Sequence, residues 1–107
     1  MADRSLVKNA ADPEQVEAAA EKEADRDMVE LNDLRGILRT ESGRRFLYRL
    51  AIEKCGAMSS VWNYDKILQD KDAARQHVGL ELIAEITVAD KEAWPLILRE
   101  ARIREER

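Results

Sequence analysis

"PEQVEAAAEKEADRDMVELNDLRGILRT", Pro13 to Thr40, decides the fold class. Glutamate, alanine, leucine and arginine dominate it, and no breaker interrupts it before Gly36. Residues of high helix propensity in one unbroken run predict one helix, or two joined helices, reaching about Arg39. Asp12 stands just before the run, Pro13 opens it, and Gln15 follows the aspartate by three. That is a capping box with proline at the first helical position, where its missing N–H costs nothing. The two halves differ in what they offer a core. Val16 and the alanines at 18, 19 and 20 form a narrow apolar face, whereas Met28, Leu31, Leu34 and Leu38 recur at helical spacing. We therefore expect an exposed arm followed by a core helix.

Charge follows the same division. Residues 1–33 hold ten acids against four bases, and 34–56 reverse the sign through Arg35, Arg39, Arg44, Arg45, Arg49 and Lys54 against Glu41 and Glu53. The remainder is close to balanced. Such asymmetry fits either a partner-binding surface or an arm that folds back on its body.

Downstream, Thr40 is placed to cap a helix in "TESGRRFLYRL", with Glu41 favouring its positive end. Phe46, Leu47, Leu50, Ala51 and Cys55 are expected on its buried face, and Gly56 is expected to stop it. "AMSSVWNYDKILQD" reads mostly as loop, with Trp62, Tyr64 and Ile67 tucked against the body. Asp70 is expected to open a helix through about Val88, burying Ala74, Val78, Leu82, Ile83 and Ile86. Asp90 is expected to cap a last helix carrying Trp94, Ile97, Leu98 and Ala101, with Pro95 kinking or delaying its first turn. "RIREER" ends the chain as a solvated tail.

The fold class expected is all-α, a small bundle of about four helices with an extended acidic N-terminal helical arm: residues 1–27 as tail and arm, 28–107 as body. At 107 residues the chain allows a modest core, so stability can depend on partners. The single cysteine excludes an internal disulfide and fits a reducing compartment at synthesis. No run approaches a membrane span, and "MADRSLVKNAAD" lacks the apolar centre of a signal peptide. We expect a protein made in the cytoplasm, with no membrane association.

Few residues suggest chemistry. Gly43, Arg44 and Arg45 at a helix start resemble an anion site, but the spaced glycines and Lys-Ser or Lys-Thr pair of a phosphate loop are absent. Glu41, four residues before Arg45, suits a helical ion pair. The preferred reading is a capped helix whose basic face, Arg44, Arg45 and Arg49, meets an acidic partner. Cys55 lies at a helix C-terminus, where the dipole disfavours a thiolate, so packing is its expected role. His77 lacks a second histidine or a cysteine pair for metal spacing, and Glu81 is an ordinary helical neighbour. Gly79, within a helix, reads as the site of a close helix crossing. No cofactor, metal or catalytic residue is expected, and the protein is not expected to be an enzyme. The arm's candidate contacts are Val16, Ala19 and Ala20.

Three stretches in order, "DLRGILRTESGRRFLYRLAIEKCGAMSS", "ARQHVGLELIAEI" and "ADKEAWPLILREAR", resemble a family of small tailed-bacteriophage proteins first noted in a Bordetella podovirus. The likeness covers about Leu31 to Arg102, and its most specific parts are the Gly-Arg-Arg-Phe-Leu helix, the Cys-Gly stop and the Val-Gly-Leu helix. Glu41-Ser42 stands where the family often has Pro-Glu before the glycine, a departure that touches helix entry alone. The resemblance carries over no catalytic residue. It implies a minor virion structural protein at the portal or head–tail region, in several symmetry-related copies, packaged in the virion and ejected with the genome. Two alternatives are an assembly chaperone or scaffold-like factor absent from the particle, and an acidic regulator of host or phage enzymes. Contact with DNA is left open.

Overall fold

A computed structural model of the protein describes residues 12–107. Residues 1–11, the expected tail, lie outside the described residues. The chain is an all-α bundle, with four α-helices among the described residues: α1 (Pro13–Leu38), α2 (Glu41–Tyr48), α3 (Lys66–Ala89) and α4 (Ala93–Glu105). A π-helical segment, Arg49–Lys54, continues α2 directly. Two compact units divide the chain, 1–33 and 34–107, and the boundary falls inside α1.

In the first unit, α1 begins at Pro13 behind Asp12 as expected, but the Gln15 side chain does not complete the expected capping box. Asp12 accepts the backbone N–H of Glu14 through Oδ1 at 3.0 Å. Every residue from Pro13 to Glu30 is exposed. Met28, expected in the core, is 56% exposed, so core spacing alone did not bring it a neighbour.

The second unit holds the buried hydrophobic residues of the described chain. They are Leu38, Leu47, Ala51, Ala57, Ile86, Ala89, Ala93, Trp94, Ile97 and Ala101. Half of these are alanines, so the core is thin and its helices approach closely. The helix α4 packs on α2 and α3, and α3 also packs on the π segment. Arg35 Nε donates to the carbonyl of Ala89 at 3.0 Å, tying the end of α1 to the end of α3 within this unit.

Gly79 explains how α3 crosses the π segment. It is buried, and a methyl group there would stand 2.8 Å from Cβ of Cys55, 3.0 Å from the Ala51 carbonyl oxygen and 3.1 Å from Cβ of Ala57. Only a residue without a side chain fits this crossing. The widened turn ends at Gly56, whose φ of 64° lies in the left-handed region that glycine favours. There the N–H of Gly56 donates to Ile52 O and that of Ala57 to Ala51 O. The expected glycine stop and glycine crossing are therefore both present.

Several expected burials are corrected. Phe46 is exposed because α2 turns Leu47 inward and leaves Phe46 on its flank, under the Arg49 guanidinium 5.6 Å from the ring centroid. Trp62, Tyr64 and Ile67 do not tuck in; Tyr64 is 94% exposed. Ala74 and Val78 also face outward; Ile86 is buried as expected, and Gly79 faces the body where Val78 was expected to. Leu98 is exposed, while Trp94, Ile97 and Ala101 are buried as expected. Helix α3 begins at Lys66, ahead of the expected Asp70, because Asp65 Oδ1 already accepts from Ile67 N at 2.9 Å and Leu68 N at 3.4 Å. Asp90 caps the turn leading to α4, accepting from Glu92 N through Oδ1, and the α-helix starts at Ala93. Pro95 sits in that first turn, where an N–H would have no intrahelical acceptor. The expected solvated tail at "RIREER" is helical as far as Glu105.

Candidate interaction surface

Helix α2 starts as the sequence dictates. Thr40 Oγ1 accepts the N–H of Gly43 at 3.0 Å, and a Cβ at Gly43 would collide with the Ile37 carbonyl. Gly43 is thus needed for the close return of the chain from α1, and helix entry accounts for the glycine without an anion.

The three arginines separate. Arg44 turns inward: Nε donates to Glu100 Oε1 at 2.6 Å, Nη2 to Oε2 at 3.2 Å, and Nη1 to the Leu38 carbonyl at 2.8 Å. Both side chains of the pair are mostly covered, at 16% and 17% exposure. Two parallel N–H···O bonds match the planar fork to the carboxylate, and the third bond satisfies a carbonyl at the end of α1. The hydrogen bond to Glu100 raises the Arg44 pKa against the opposing effect of burial, with the charges of Glu100 and Glu41 assisting. The same bond lowers the Glu100 pKa against desolvation, helped by the charges of Arg44, Arg104 and Arg99. Arg44 is therefore a structural clasp between α2 and α4. The Glu41–Arg45 pair does not form; Glu41 acts on Arg44 at longer range.

Arg45 and Arg49 remain exposed, with Phe46 half-exposed beside them. They form a small basic patch with an aromatic face, a composition suited to protein contact. Val16, Ala19 and Ala20 are exposed on α1, in the other unit.

The residues weighed for chemistry are also placed. Cys55 is half-buried against Gly79. His77 Nε2 lies 2.8 Å from Glu81 Oε1, both on exposed surface one helical turn apart. An open hollow near Cys55 is lined by Glu53, Lys54, Ser59, Asp72 and Arg75 among others, two acids with two bases, so its walls favour no one sign of ligand charge. Among the described residues no three His, Cys, Asp or Glu side chains converge on a metal position, and no helix is long and apolar enough to cross a membrane.

Sequence reading missed two features. The Arg44–Glu100 clasp joins residues 56 apart, a separation at which charge pattern carries no signal. The exposed aromatic pair Trp62 and Tyr64, ring centroids 4.5 Å apart and edge to face, lies upstream of the Asp65 cap. Asn63 and Asp65, two residues that favour turns and caps, marked that entry. Comparison with family models, curated proteins and solved structures finds no match for the chain.

Proposed function

We propose that the protein is a minor structural component of a tailed-phage virion, held at the portal or head–tail region in several copies, and that it acts by association without catalysis. The resemblance of the Gly-Arg-Arg-Phe-Leu, Cys-Gly and Val-Gly-Leu stretches supports the phage assignment. The observation that carries the associative role is the stretch of α1 from Pro13 to Glu30, in which every residue is exposed. In proteins most helical stability comes from packing of an amphipathic face, so docking one face on another chain is what would stabilise this stretch. The stripe of Val16, Ala19 and Ala20 is the apolar part of that face. Arg45 and Arg49 supply a second contact, toward an acidic protein surface, and Arg44 is withdrawn from it because Glu100 holds it.

Non-catalytic action is supported by the use of Cys55 in packing and of His77 in a surface pair. Cys55→Ser and His77→Gln should leave function intact in folded protein. Mass spectrometry of purified virions tests the assignment: the protein should be a stoichiometric component of the particle. Presence in infected lysates with absence from virions would favour the assembly-factor or regulator reading.

A further inference from the structure

We infer that the arginine-rich seam where α2 meets α4 is the docking site for the acidic helix α1 of a second copy of the chain. The inference rests on the associative reading of α1 and is independent of the virion assignment.

The seam presents arginines that are held in place and left unpaired. Arg49 lies over the Phe46 ring, 5.6 Å from its centroid, and Arg104 of α4 lies over the Tyr48 ring at 5.8 Å. A guanidinium stacked in this way keeps the N–H edges of its fork open to carboxylates. Among the described residues neither of these arginines forms an ion pair, and exposed Arg45 forms none. The acids at hand are Glu100, which Arg44 already holds, and Glu41 and Glu53 at the two ends of the α2 row. Arg45, Arg49 and Arg104 outnumber those two, so the seam stays basic.

Helix α1 carries the complement. At 100° per residue, Val16, Ala20 and Leu31 fall within about 40° of one line, which ends at buried Leu38. Within about 80° of that line residues 13–33 carry Glu17, Glu23, Asp27 and Glu30 and no base, while Lys22 and Arg26 stand about 120° or more away. Two α1 helices joined on this face would set acids against acids. Its cover is therefore a basic surface.

Connectivity selects the copy that supplies it. Helix α1 runs unbroken to Leu38, two residues join it to α2, and Arg49 stands about 12 Å of helix beyond Glu41. Val16 to Glu23 lie about 22 Å or more of helix before Leu38. That end of the face is out of reach of its own Arg45 and Arg49, and a second copy meets no such limit. The contact joins unlike surfaces, so it closes by exchange of arms or continues from copy to copy.

Sedimentation of the full chain tests this, with circular dichroism as the folding control. The wild type should associate at concentrations on the order of 100 µM, and less so at high salt. Arg45→Glu with Arg49→Glu should weaken association by about tenfold or more, as should Glu17→Lys with Glu23→Lys and Asp27→Lys. An equal mixture of the two variants should associate, because the basic arm of one meets the acidic seam of the other. All five changes in one chain should restore self-association. A wild type that stays monomeric at about 100 µM overturns the inference, and so does association indifferent to Arg45→Glu with Arg49→Glu. Either result, with the protein present in several copies in virions, would leave the associative reading standing and give α1 a different partner.

Discussion

Gly79 and Arg44 show how single positions are set by contacts distant in sequence. Helix propensity alone favours alanine over glycine by about 1 kcal/mol. At Gly79 the added methyl meets the Ala51 carbonyl and the Cys55 and Ala57 side chains, and overpacking of this kind costs about 1–3 kcal/mol. Gly79→Ala should therefore lower the denaturant midpoint, and a rise would show that α3 does not cross so closely. Truncation of Arg44 leaves Glu100 partly covered without its partner, so Arg44→Ala should cost about 1–3 kcal/mol by the same measurement. The pair also makes stability depend on pH. Because the folded-state pKa of Glu100 is lowered, its contribution is fully present above the unfolded carboxylate value of about 4.3 and is lost as pH falls through the lower folded value. Glu100→Gln should flatten that acid limb of the stability profile. A Glu100→Gln profile as steep as the wild type would assign the acid loss to other carboxylates.

At the scale of elements, α3 is defined by its cap. Asp65 accepts two backbone N–H groups, the Asn63 side chain accepts the N–H of Asp65, and Gln69 Oε1 accepts the N–H of Asn63. Gln76 then fastens the preceding loop, donating to the carbonyls of Ala57 and Ser59. Asp70, an equally good capping residue, lies a turn inside the helix and is exposed. Asp65→Ala should destabilise by about 0.5–2 kcal/mol, and Asp70→Ala should stay within about 0.5 kcal/mol of the wild type. Thermal melts of the two variants compare them directly. Equal losses would mean that the cap at Asp65 contributes no more than the side chain of Asp70.

At the scale of the whole molecule, the buried hydrophobic residues among those described all come from Leu38 onward. Removing residues 1–26 should accordingly leave a helical protein that unfolds cooperatively with nearly unchanged midpoint, and that no longer joins its complex. Unfolding of the truncated chain, with the intact protein a stable monomer, would make the arm a part of the core. A core in which five of ten buried hydrophobic residues are alanine offers modest burial, which fits a protein stabilised further by association.

The sequence by itself determined what neighbouring residues decide: the all-α class, the α1 run from Pro13, the caps at Asp12 and Thr40, the stop at Gly56 and the glycine reserved for a crossing. Each depends on backbone groups or periodicity within a few residues. It also marked the basic cluster of α2, without dividing it. Which arginine became a clasp, and which apolar stripe of α3 turned inward, were decided by tertiary structure. Ala74 and Val78 carry the same spacing signal as Ile86, yet only Ile86 is buried, because Gly79 turns inward and admits the π segment at a distance no side chain allows. Arg44 and Arg45 differ by one position in a helix, about 100° of rotation, and only the arrival of Glu100 on α4 distinguishes them.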